Sequence, residues 1–172
     1  MPQQANTFAD IRRKFLAYVS DIQYCTMVTV DASNRPRARV MLPIWELVDG
    51  LPVGWLAVYK TPVKARHLER NPHTTYSYWS PRQYAAHIDA VSSWIDDSAM
   101  KEYAWNAYCT GSPAGVGYDP IGFWPGGPTD PKYHLIRIDP WRIQLVRGTD
   151  LSSVIWQTDP PGSVAAQPAI PA

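Results

Sequence analysis

Two stretches of this 172-residue chain carry residues whose type and spacing suit the binding of an anion. The first is Tyr59-Lys60-Thr61-Pro62-Val63-Lys64. Thr61 is a good helix N-cap and Pro62 suits the first helical position, so a helix starts here. The first turn of a helix leaves backbone N–H groups free and carries a partial positive charge. Lys64 falls in that turn, where a cation is mildly unfavourable, and a bound phosphate would turn the penalty into an advantage. The competing reading is a solvated lysine on an ordinary helix. The second stretch is Arg37-Ala38-Arg39-Val40-Met41-Leu42. Strand alternation puts Arg37, Arg39 and Met41 on one face, and guanidinium groups match phosphate geometry. The competing reading is an exposed face with cross-strand ion pairs. Each signal is weak alone; one strand and one helix apart, they point together to an anion site.

Other reactive side chains fit less well. His67, His73, His87 and His134 lack metal-ligand spacing, and no Cys-x-x-Cys pair exists, so no metal is expected. His67 reads as a surface or interface residue of the short helix. Gly111, Gly115 and Gly117 neither follow a strand nor open a helix, which excludes a dinucleotide fingerprint. Ser112 has no nucleophile-elbow context. Asp96 and Asp97 read as helix caps rather than a catalytic carboxylate pair.

These residues must be held by a mainly β scaffold. Phe8, Ile11, Phe15, Val19 and Ile22 recur at helical spacing after Asn6-Thr7. Tyr24 to Val30 reads as a strand, Arg37 to Val48 as a long second strand, and Asp49-Gly50 as a hairpin turn into Val53 to Tyr59. The helix from Thr61-Pro62 must stop near Asn71-Pro72. His73 to Trp79 and Tyr84 to Trp94 read as strands separated by Pro81. Asp96-Asp97-Ser98 caps a helix carrying Met100, Tyr103, Ala104, Ala107 and Tyr108. Gly111 to Pro131 reads as a long loop, Tyr133 to Ile138 and Trp141 to Val146 as two closing strands around Pro140, and Asp159 to Ala172 as a disordered tail. About seven strands and three helices suit a closed or partly closed antiparallel barrel.

Composition narrows the classes. The length implies one domain able to bury a core without staples. A formal net charge of +1 argues against nucleic acid as a partner. No apolar run approaches a membrane span, and the charged first twenty residues (Asp10, Arg12, Arg13, Lys14) do not form a signal peptide. A cytoplasmic protein with reduced Cys25 and Cys109 is expected. Eight Trp and ten Tyr suit a core, a flat-ligand pocket or a subunit interface, and composition does not choose among these.

The order of parts resembles a known family. Arg35-Pro36-Arg37-Ala38-Arg39-Val40-Met41-Leu42, a hairpin, then Thr61-Pro62-Val63-Lys64-Ala65-Arg66-His67-Leu68-Glu69-Arg70-Asn71-Pro72 and the aromatic strand Tyr76-Ser77-Tyr78-Trp79 are similar to the pyridoxamine 5′-phosphate oxidase-like superfamily of flavin-binding split barrels. The resemblance covers roughly residues 20–146. It implies a six-stranded antiparallel Greek-key split β-barrel with flanking helices over residues 1–158, a homodimer, and FMN held at the dimer interface. It implies that Arg39 and Lys64 hold the FMN phosphate, with Thr61 helping; Arg37, on the same strand face, is a further cofactor-binding candidate. The Val40-Met41-Leu42 backbone would lie along the ring, and Gln83 would reach the flavin across the dimer. Trp79, Trp94 and Trp124 are candidates for the substrate pocket. Val63, Ala57 and Val58 depart from the true oxidases, and only Trp141-Arg142-Ile143 stands where their C-terminal His-Asp-Arg motif belongs. The chain therefore looks more like the general-stress and uncharacterised reductase branches. The expected function is an FMN-dependent oxidoreductase acting on a small molecule. The alternatives are a deazaflavin-dependent reductase, and a flavin- or haem-binding protein without turnover.

Overall fold

The computed structural model describes residues 2–159; apart from Asp159, the expected disordered tail lies outside them. A short strand β1 (Gln3–Gln4) precedes a 3-10 turn (Phe8–Asp10) and helix α1 (Arg12–Ile22). Strands β2 (Cys25–Val30), β3 (Pro36–Met41), β4 (Ile44–Val48) and β5 (Leu51–Val58) follow. Then come helix α2 (Pro62–Arg70), strands β6 (His73–Trp79) and β7 (Ala85–Ile95), helix α3 (Ser98–Thr110), and strands β8 (His134–Val146) and β9 (Ser153–Gln157).

The fold is mainly β with flanking helices. The sheet is larger than the six antiparallel strands expected: nine described strands form one mixed sheet, ordered β1-β9-β8-β7-β6-β2-β3, with β5 joining β8 and β4 joining β5. The β1–β9 pair is parallel. Neither of these strands was legible in the sequence, β1 because it has two residues and β9 because its short run follows a polar turn.

Two strand assignments need correction. The run 37–48 is not one strand. It breaks at Leu42-Pro43 into β3, which pairs with β2, and β4, which pairs with β5. Proline has no N–H to give a ladder, so pairing ends there and the chain changes neighbours. Conversely, the two closing strands around Pro140 are one, β8. Pro140 sits where the register to β7 shifts between Asp89 and Ala90, and a bulge is where a strand tolerates proline. β8 changes partners at the same point: His134–Ile138 pairs with β5, and Arg142–Val146 with β9.

Local chemistry sets the remaining joints. Asp49 (φ 51°) and Gly50 (φ 80°) both adopt the left-handed conformation of the tight β4–β5 hairpin. The Asp97 side chain accepts from the Met100 N–H and caps α3, and Asp10 accepts from the N–H groups of Asn6 and Thr7 ahead of α1. The inward faces of β2, β6, β7 and β8 carry the core, including Met27, Tyr76, Ile88 and Ile143. Helix α1 closes one side through edge-to-face contacts of Phe15 with Trp45 and with Phe8, which in turn meets Trp156.

At Gly54 in β5 the packing leaves no room for a side chain. A Cβ there would lie 2.9 Å from the Trp45 ring and 3.0 Å from Ile138 Cβ. Gly54→Ala is expected to cost about 1–3 kcal/mol through overpacking, read as a fall in the thermal midpoint by calorimetry. An unchanged midpoint would mean that β4 and β8 move apart freely at this point.

Candidate functional site

A cleft of about 570 Å³ opens where β5 runs into α2, a size typical of small-molecule sites. Its floor is Met41 and Leu42 at the end of β3 with Ala57 and Val58 of β5; Thr61 and Lys64 close one end, and Gln23 and Tyr24 form part of the rim. The opposite wall comes from the 111–131 segment: Gly117, Tyr118, Asp119, Phe123 and Trp124. That segment is tied down. Tyr118 N–H donates to the Tyr108 carbonyl at 3.0 Å, the Trp124 indole donates to the Lys132 carbonyl, and the Tyr59 hydroxyl donates to the Phe123 carbonyl at 2.9 Å. Tyr59, Trp124, Phe123 and Tyr118 touch ring to ring along the wall. Burial pushes the Tyr118 hydroxyl up to about 12, so it serves as a neutral donor.

Lys64 dominates the electrostatics. Thr61 and Pro62 start α2 as expected, but the Thr61 hydroxyl makes no cap bond, which leaves the first-turn amides uncapped. Lys64 is 4% exposed. Its ammonium donates to the Tyr59 carbonyl at 3.1 Å. Among the described residues no carboxylate lies within ion-pairing distance of it. Burial, and then the Arg39 guanidinium nearby, pull its pKa from 10.5 down to about 8. A buried cation that faces another cation and has no acid is costly unless an anion completes it.

The predicted site residues divide. Met41, Leu42, Thr61 and Lys64 line the cleft. Arg39 stands beside Lys64, its Nη1 donating to Thr29 Oγ1 at 2.9 Å. Arg37 is exposed, and its charge adds to the field that lowers Arg39. Val40 does not face the cleft: it is 68% exposed on the outer side of the sheet, in register with Thr26. Gln83 (φ 64°) lies in the β6–β7 turn outside the cleft lining, accepting weakly from the Trp79 indole at 3.4 Å. Of the three tryptophans, Trp124 lines the cleft. Trp79 is exposed, and Trp94 lies under the Lys60 ammonium.

His67 corrects the sequence reading. It is buried, not a surface residue, and its Nδ1 lies 2.9 Å from Thr29 Oγ1. It falls on the same face of α2 as Lys64, one turn on. The wall residues Tyr118, Asp119 and Phe123 were also not anticipated. Their signal was the aromatic content of a segment otherwise marked only by glycine and proline.

The family model for pyridoxamine 5′-phosphate oxidase matches residues 11–147. The chain belongs to this family. Several solved structures share the fold. One is a protein related to general stress protein 26 from Clostridium acetobutylicum: 18% identity, TM-score 0.65, 86% of this chain and 92% of that one. A putative pyridoxamine 5′-phosphate oxidase from Listeria innocua shows 25% identity and TM-score 0.59, over 78% of this chain and 97% of that one. A haem-binding protein from Mycobacterium smegmatis shows 13% identity and TM-score 0.58, over 83% of this chain and 55% of that one. A search among curated proteins finds no significant match. Among the described residues no helix is long and apolar enough to cross a membrane, and no group of His, Cys, Asp and Glu is placed to hold a metal ion.

Proposed function

We propose that this oxidase-family chain binds FMN in the cleft and uses it as an oxidoreductase on a small molecule. The observation that carries the reading is Lys64: a buried ammonium, flanked by Arg39 and by uncapped helix amides, with no carboxylate within ion-pairing distance among the described residues. A phosphate monoester supplies the missing charge. Thr61 would add its hydroxyl, Met41, Leu42, Ala57 and Val58 an apolar floor for a flat ring, and Phe123 and Trp124 an aromatic wall. Bound FMN would supply the electron and hydride transfer, while the chain supplies position and electrostatics.

A homodimer is part of the proposal. Val40, Tyr24 and Trp79 leave apolar surface open on three adjacent strands or their ends, at 68%, 60% and 56% exposure. Gln83, beside Trp79 and outside the lining of its own cleft, would serve a partner's. Vitamin B6 oxidation is not proposed, because the C-terminal His-Asp-Arg motif of the true oxidases is missing.

The test is titration of flavin-free protein with FMN, riboflavin and a deazaflavin, followed by flavin absorbance and fluorescence. FMN binding well above riboflavin is expected. No FMN binding would overturn the reading. Preference for the deazaflavin would keep the cleft and change the cofactor. A bound flavin that no nicotinamide donor bleaches would point to a carrier.

A further inference from the structure

The hydrogen bonds behind Lys64 carry a second reading, which rests on the phosphate assignment above. Arg39 Nη1 donates to Thr29 Oγ1 at 2.9 Å, and the same oxygen lies 2.9 Å from His67 Nδ1. Thr29 is fully buried and His67 nearly so. Arginine donates only, so Thr29 must accept from it and has its own proton to give. Among the described residues the acceptor in reach is His67 Nδ1, and giving it the Thr29 proton assigns the imidazole proton to Nε2. The result is a directed chain from Arg39 through Thr29 to His67, joining β3, β2 and α2.

The chain matters because of where Arg39 sits. β3 is the last strand on its side of the sheet and most of its residues are exposed. The guanidinium stands near Lys64, whose pKa it depresses. A long side chain on an open edge, repelled by a neighbouring cation, would turn toward solvent unless held. Thr29 holds it. His67 fixes the direction of the Thr29 hydroxyl and sits on the helix that carries Lys64. The two cations are thereby kept together before any anion arrives, so binding does not have to order Arg39.

We infer that Thr29 and His67 are positioning residues that preorganise Arg39 and Lys64 for a phosphate monoester, and that they set the preference for a phosphorylated flavin over its unphosphorylated form.

The experiment compares FMN and riboflavin binding by fluorescence titration in the wild-type chain, Thr29→Val and Thr29→Ser. Valine keeps the shape and removes the hydroxyl. Thr29→Val is expected to weaken FMN binding about tenfold, the cost of one unrestrained long side chain, with riboflavin binding unchanged. Thr29→Ser should restore FMN binding. His67→Asn, whose amide oxygen can replace Nδ1 as acceptor, should retain it. Equal loss for both flavins in Thr29→Val, with a lowered thermal midpoint, would mean a merely structural role and overturn the inference. So would unchanged FMN binding in Thr29→Val. Failure of the wild type to bind FMN would be a different result: it removes the phosphate site itself.

Discussion

Replacing Lys64 by methionine is expected to weaken FMN binding about a hundredfold, and to make the flavin-free protein more stable. Both effects follow from one cause. The ammonium is buried, and burial together with Arg39 lowers its pKa from 10.5 to about 8. At neutral pH the folded protein therefore carries a protonated lysine in a place that disfavours the charge. The shift corresponds to a penalty on the order of 3 kcal/mol, and methionine fills similar space without it. A gain of about 1–3 kcal/mol is expected after relaxation. The loss of binding has the size usual for truncating one member of a buried charge pair, about 2–5 kcal/mol.

The pH dependence checks the same cause. The folded pKa of Lys64 lies below its unfolded value, so the unfolded chain holds more protons between about pH 8 and 10.5. In that window Lys64 makes a contribution to the stability of the flavin-free protein that rises with pH, opposed by Cys25 and the buried tyrosines, whose raised pKa values make their contribution fall. Below about 8 the penalty is complete. A bound phosphate favours the ammonium, so FMN affinity should decline above about pH 8. Lys64→Met should lose the Lys64 part of both trends, so between pH 7 and pH 9.5 its stability should fall relative to that of the wild type. The measurements are thermal unfolding and FMN titration at pH 7 and pH 9.5, in both proteins. A methionine variant that binds FMN like the wild type would remove Lys64 from the site.

The second large effect is expected at Tyr108, in α3. Its hydroxyl lies 3.0 Å from the Leu42 carbonyl, 2.9 Å from the Trp55 carbonyl and 3.1 Å from the Ala57 N–H. These groups flank the place where Pro43 ends the β4–β5 ladder, whose last described pair is Ile44 with Trp55. One tyrosine hydroxyl therefore replaces the missing ladder bonds. Tyr108→Phe leaves the Ala57 N–H without its acceptor and one of the two carbonyls, which share a single hydroxyl proton, without its donor, at about 1–3 kcal/mol for each group that water cannot reach. A loss of roughly 2–4 kcal/mol is expected, read in chemical denaturation. Leu42 and Ala57 form the cleft floor, so flavin binding should weaken as well. A variant as stable as the wild type would show that water takes over these bonds.

Much of the scaffold was legible because its signals are local. Thr61-Pro62 started α2 and Asn71-Pro72 ended it, through backbone terms that act over one or two residues. Asp49-Gly50 turned the hairpin, and Asp97 capped α3. His73–Trp79 emerged with the bounds its aromatic and β-branched run implied. The errors at Pro43 and Pro140 share one reason. Proline removes one donor in either setting, and whether the strand breaks or bulges depends on the neighbouring strand.

The site divides along the same line. The sequence by itself pointed to the side chains that could meet a phosphate, Arg37, Arg39 and Lys64, because alternation along a strand and the first turn of a helix are properties of adjacent residues. Only the tertiary structure decided that Lys64 is buried without an acid, that His67 points inward to Thr29, and that Tyr118, Phe123 and Trp124 wall the cleft. Thr29 and His67 are 38 residues apart, and Tyr108 and Leu42 are 66 apart. Burial and the pairing of charges depend on which distant segments the sheet brings together, and no local pattern encodes the neighbour that is missing.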